Sequence, residues 1–164
     1  MISPTTELPT TATPLKLAGI DAALRAAWSA DTCSPDDFER TPWSAENPAW
    51  GHCDITALLV HDLFGGVLLC GEVRSSAGEQ QGHHWWNRLP SGLELDLTRE
   101  QFLLGQQIST PRTVIRPPGP LRRQAEYELL WRRFGAAAGL ALSDDGEAGE
   151  ATSAPDSHSA DERP

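Results

Sequence analysis

Apolar positions recur at helical spacing in three stretches of the chain. Leu17, Ile20, Leu24, Ala27 and Trp28 share one face over residues 15–28, and that period predicts a helix. Ile55, Leu58, Leu59 and Leu63 do the same after Cys53, until Gly65-Gly66 ends the run as glycine does at a helix C-terminus. Leu121, Tyr127, Leu130, Trp131 and Phe134 mark a last helix over residues 121–138. Arg122, Arg123, Arg132 and Arg133 mix there with Glu126 and Glu128, which reads as a solvated face. Between the second and third helices the pattern changes. Residues 67–73 are a short apolar strand, and 83–87 and 93–98 read as two strands joined by a turn at Pro90-Ser91-Gly92. Residues 31–47, broken by Pro35 and Pro42, read as irregular, 74–82 as an exposed polar loop and 110–120 as a Pro-rich loop. Thr98-Arg99-Glu100-Gln101 matches a capping box, so a short helix is expected to begin at Thr98, held down by Phe102 and Leu103.

This order of elements predicts an α+β fold, with helices packed on one face of a small antiparallel sheet and the Cys53 helix at its centre. At 164 residues the chain has the size of one domain, expected over residues 15–142. Residues 1–14 hold Pro4, Pro9 and Pro14 and are expected to be a disordered arm. Residues 143–164 are low in complexity and acidic, and are expected to be a disordered tail. No internal repeat is visible.

Charge narrows the partners. The net charge is −10, from 13 basic and 23 acidic residues. The tail holds seven acidic residues and one basic, which leaves −4 for the rest. Lys16 is the single lysine. A chain without clustered Lys and Arg is a poor match for phosphate backbones, so no nucleic-acid partner is expected. Apolar residues make up 39%, with no run near the ~20 that a membrane span requires, so no membrane partner is expected. The first residues lack a basic segment followed by an apolar one, so no secretory leader is expected. Cys33, Cys53 and Cys70 are an odd and sparse set, unlike a disulfide framework, and point to a cytoplasmic protein. Cys70, inside the apolar strand, is expected to be a buried core thiol.

Candidate chemistry centres on Cys53. A thiol in the first turn of a helix feels the positive helix end, which favours the nucleophilic thiolate. A hairpin with a histidine on one strand and an aspartate on the next can set imidazole and carboxylate side by side. His83 and His84 compete for that role, because the pleat sends neighbours to opposite faces. Trp43 and Trp50 flank the approach to Cys53, as core packing or as walls of a pocket. The Cys53 N–H is one natural oxyanion donor, and a side chain between Trp43 and His52 would be the other. His52, Cys53, His61, His83 and His84 are ligand types that zinc accepts, but no C-x-x-C or H-E-x-x-H spacing is present. Gly65-Gly66 lacks the frame of a phosphate loop. No cofactor or metal is expected.

Gly51-x-Cys53-x-x-x-Ala57, then His84-x-Trp86-Asn87, then Asp96-x-Thr98 resembles the transglutaminase-like core pattern, and the order Cys, His, Asp is also that of papain-like folds. A closer resemblance is to the small bacterial YunG-like family. Its pattern, N-P-x-x-G-x-C-x-x-T-A-L, H-x-W-N-R-L-P-x-G and D-L-T-x-x-Q-F, matches residues 47–58, 84–92 and 96–102. The resemblance covers roughly residues 17–134 and departs at His52, where glutamine is expected. It implies a papain-like or transglutaminase-like core and selects His84 over His83. It also implies a Cys53-His84-Asp96 triad: Cys53 as nucleophile, His84 as general base and then acid, Asp96 as the group that orients it. The expected partner is a peptide or an amide-containing small molecule, processed by acyl transfer or hydrolysis. The alternative from another class is a non-enzymatic interaction module that keeps a relic site.

Overall fold

The computed structural model describes residues 15–118 and 121–140. The expected N-terminal arm 1–14 and acidic tail 143–164 lie outside the described residues. The helices are α1 (Leu17–Ala27), α2 (Pro35–Arg40), α3 (Cys53–Phe64) and α4 (Gln124–Ala138). The strands are β1 (Val67–Arg74), β2 (Gln80–Arg88), β3 (Glu94–Leu95), β4 (Gln107–Ile108) and β5 (Arg112–Val114). Every strand pair is antiparallel, in the order β3-β2-β1-β4, with β5 also paired to β1. The fold is α+β, as expected.

The core lies among the helices. Ile20, Ala23, Leu24 and Ala27 of α1 meet Ile55 and Leu59 of α3 and Leu130 and Phe134 of α4. All but Ala23 are positions that the 3.6-residue period singled out, and burying them is what holds short helices in place. The thiol of Cys70 is buried, as expected. Gly65 and Gly66 then reverse the chain into β1, both at positive φ. A Cβ at Gly66 would collide with the Arg88 carbonyl, so only glycine lets α3 and the end of β2 approach this closely.

Several local expectations change. Residues 35–40 are helical because Pro35 occupies the first turn and Asp36 and Asp37 follow it at the positive helix end. Both ends of the expected loop 74–82 belong to β1 and β2, which pair to Arg74↔Gln80 across an irregularity at Val73/Arg74 and leave residues 75–79 as the loop. β5 falls in the expected loop 110–120, and β4 precedes it; each pairs with part of β1 and is too short for a period-2 signal. The helix expected at Thr98 is one 3₁₀ turn, Arg99–Gln101, without a side-chain cap. The Thr98 N–H instead bonds Asp96 Oδ1 at 3.2 Å. α4 begins at Gln124, later than expected, and Arg123 at its cap is buried.

The faces of β2 decide what the site can be. Asn87 Nδ2 donates to the Ala57 carbonyl of α3 at 2.9 Å, and Trp85 and Leu68 border one small cavity with Ile55 and Leu58. So α3 covers the face that carries Trp85 and Asn87. Strand alternation sends His84 and Trp86 to the opposite face, where their rings stack at 5.4 Å. Among the described residues no helix is long and apolar enough to cross a membrane.

Candidate active site

Cys53 is the first residue of α3, and three features fix it there. Gly51 turns the chain at φ +72, and a Cβ there would collide with Cys33 Sγ and lie 3.0 Å from the Ser34 N. The Gly51 carbonyl accepts the Ser34 N–H at 2.9 Å. Arg123 then reaches from the start of α4 to the carbonyls of Thr32 and Gly51 and to the carboxylate of Asp54. It thereby ties both sides of Cys53 to the helix core. Arg123 was expected on a solvated face; it is buried, and its guanidinium donates to the Thr32 carbonyl and adds a second donor to the Gly51 carbonyl.

His52 turns the other way. Its side chain is fully buried. Nε2 lies 2.8 Å from Thr32 Oγ1 and Nδ1 2.8 Å from the Trp50 carbonyl oxygen. Burial pushes the imidazole down to about 4, so it is a neutral core group. It therefore lies away from the cleft and is no oxyanion donor. Of the two flanking tryptophans, Trp50 lines the cleft and donates Nε1–H to the carbonyls of Asp37 and Thr41. Trp43 donates to the Pro48 carbonyl and stays outside it.

His84 and Asp96 meet. Nε2 lies 2.8 Å from Asp96 Oδ2, with the histidine fully buried and the carboxylate 13% exposed. Asp96 can only accept, so Nε2 carries the proton and Nδ1 presents a lone pair. That nitrogen is occupied too: Gln101 Nε2 donates to it at 3.2 Å. Trp86 and the edge of the Phe102 ring, 4.6 Å away, close around the imidazole.

Cys53, His83, His84 and Gln101 line one cleft of about 440 Å³, with Asp37, Trp50 and Phe102 among its other walls. Cys53 and His84 both line this cleft. Cys53 Sγ lies 3.9 Å from the His83 carbonyl oxygen, at the strand's outer edge. Among the described residues no hydrogen bond joins Cys53 to the His84 ring, although a direct contact was expected. The thiolate expected at the helix start is also not favoured here. Burial, the largest influence, pushes the Cys53 thiol well above the ordinary range, and Asp54 adds to it. The Trp85 N–H acts in the opposite sense without offsetting them. Burial raises Cys33 to about 11 and raises Cys70 as well. Asp37, on the cleft wall, has its carboxyl held above the usual range by burial.

Two residues of this arrangement carried no role at the site in the sequence, Gln101 being read only as the end of a capping box. Gln101 lay inside the D-L-T-x-x-Q-F pattern, and that position was the available signal. Arg123 gave none, since an arginine at a helix start reads as solvated. Among the described residues no group of three or more His, Cys, Asp or Glu side chains is placed to hold a metal ion.

Comparison with known proteins agrees with the motif pattern. The chain is 33% identical over 79 residues to the uncharacterized protein YunG of Bacillus subtilis (strain 168), a match covering 48% of this chain and 56% of that relative. The match thus spans little more than half the length of the curated relative. No solved structure matches the chain. The family model described as YunG protein matches residues 16–139, most of the chain and all of its core and cleft, and the chain therefore belongs to the YunG family.

Proposed function

We propose that the protein is a thiol-dependent acyl-transfer enzyme, a cysteine hydrolase or transferase, acting on a peptide or an amide-containing small molecule. The observation that carries this reading is the buried His84–Asp96 pair, opening onto the same cleft as a cysteine at a helix start. A carboxylate that fixes Nε2–H leaves Nδ1 as the base. The Cys53 S–H proton passes to Nδ1, and sulfur attacks the carbonyl carbon. The oxyanion takes the Cys53 N–H, free in the first helical turn. The C–N bond breaks as Nδ1–H protonates the leaving amine, and a thioester remains on Cys53. Water or an amine then attacks that thioester, with His84 again taking the proton. This chemistry is that of a papain-like or transglutaminase-like core, and the α+β order of helix, hairpin and Cys-His-Asp residues supports it. The unpaired cysteines fit a reducing cytoplasm.

One observation favours a second reading, a non-enzymatic module with a relic site: the Cys53 thiol is held protonated and unpaired with His84. An activated ester such as p-nitrophenyl acetate separates the two. The enzyme reading expects a burst of p-nitrophenol and an acyl mass on Cys53. Both should be lost in Cys53→Ala and suppressed in His84→Asn. Equal, slow acylation of Cys33, Cys53 and Cys70 would leave the module.

A further inference from the structure

We propose that Gln101 is a latch on this site, holding His84 out of action until substrate displaces it. The inference rests on the acyl-transfer reading and adds its regulation. Hydrogen-bond accounting carries it. Asp96 Oδ2 accepts from Nε2 at 2.8 Å and Gln101 Nε2 donates to Nδ1 at 3.2 Å, so both ring nitrogens are engaged. A proton on Nδ1 would face the amide donor, N–H against N–H. His84 therefore cannot take the Cys53 proton until Gln101 rotates away. The thiol meanwhile stays against the His83 carbonyl oxygen.

The latch is placed where a substrate would meet it. Gln101 ends a single 3₁₀ turn, and the next residues form the rim of the cleft. Phe102 covers the His84 ring, and Leu103 is 68% exposed beside it. The Gln106 side chain accepts from the Leu103 N–H and donates to Gln81 Oε1 across the rim. One tie anchors the turn to the loop before α3, from Asn47 Nδ2 to the Gln101 carbonyl at 3.2 Å. A molecule entering the cleft touches Phe102, Leu103 and Gln106 before it reaches His84, and an apolar group on that molecule suits the exposed Leu103. No redox partner or co-reactant is needed. The step is one amide rotation that frees a lone pair.

The test is the rate of Cys53 alkylation by iodoacetamide at neutral pH, read by mass spectrometry in wild type, Gln101→Leu, His84→Asn and the double variant. Leucine keeps the buried volume and removes the donor. The latch requires Gln101→Leu to label Cys53 about tenfold faster, the size of one ordinary hydrogen bond lost, and the gain must vanish in the double variant. Equal or slower labelling in Gln101→Leu overturns the latch, and so does a gain that survives without His84, which would make Gln101 a mere steric cover. A second readout needs no reactive thiol: the ¹⁵N shift of His84 Nδ1 should move on Gln101→Leu while Nε2 keeps its protonated signature. An unmoved Nδ1 shift overturns the latch. Labelling slowed by His84→Asn but unmoved by Gln101→Leu overturns the latch alone, whereas labelling indifferent to His84 in every background overturns the acyl-transfer reading and the latch with it.

Discussion

Asp96 serves two neighbours with its two oxygens: Oδ2 lies 2.8 Å from His84 Nε2, and Oδ1 accepts the Thr98 N–H at 3.2 Å. The same carboxylate sets the imidazole tautomer and shapes the turn that carries Gln101. Replacing it with alanine therefore has two separable effects. Stability should fall by about 1–2 kcal/mol, as for a lost turn or cap bond, in urea unfolding. The pH profile of Cys53 alkylation should move to higher pH, because the group orienting its base is gone. Asp96→Asn keeps an oxygen for Thr98 and removes the charge, so it should spare most of the stability and still move the profile. A profile that stays put in both variants would reduce Asp96 to a turn residue.

Arg123 holds the approach to Cys53 from a distant helix. Its removal takes a donor from the Thr32 carbonyl and from Asp54, and leaves the Gly51 carbonyl with the Ser34 N–H alone. Asp54 is 35% exposed and Arg123 only 9%, so the loss should be roughly 2–3 kcal/mol, below that for a fully buried pair. Arg123→Lys should recover little, since an ammonium cannot span three acceptors as a planar fork does. Chemical unfolding measures both. Near-neutral values would show that the carbonyls find other donors.

His52 makes stability depend on pH. Its folded-state value, about 4, is below the 6.5 of an unperturbed histidine, so between those values the unfolded chain binds the extra proton. Stability is full above pH 6.5 and falls as the pH drops toward 4, by up to roughly 3 kcal/mol from this one group. His52→Gln cannot titrate and can still reach Thr32 and the Trp50 carbonyl. The loss of stability between pH 7.5 and pH 5 should be smaller in that variant than in wild type. Equal losses would mean that His52 is not what destabilises the acid side.

Gly51 is constrained twice, by its φ of +72 and by the atoms beside it. Gly51→Ala should cost about 2–4 kcal/mol, combining a left-handed backbone penalty with overpacking against Cys33. Because the turn leads straight into Cys53, the labelling rate of that thiol should change as well. A stable variant with unchanged labelling would show that the loop relaxes freely.

The chain itself determined three of the four helices, the hairpin and the residues that meet in it. Periodicity gave α1, α3 and α4, and the turn at Pro90-Ser91-Gly92 brought His84 and Asp96 within reach, since a hairpin pairs residues close in sequence. Those are local relations, and local patterns encode them. Tertiary structure alone decided the rest. β4 and β5 are strands only because β1 offers them a partner, and two or three residues cannot announce that. Arg123 is buried because carbonyls 72 and 91 residues away in sequence point at it. His52 faces the core and His84 the cleft for reasons of packing that neighbouring residues do not carry. The Cys53 thiol shows the same division. Position at a helix start is written in the sequence, but desolvation depends on what the whole fold lays over the sulfur, and here it pushes the thiol up.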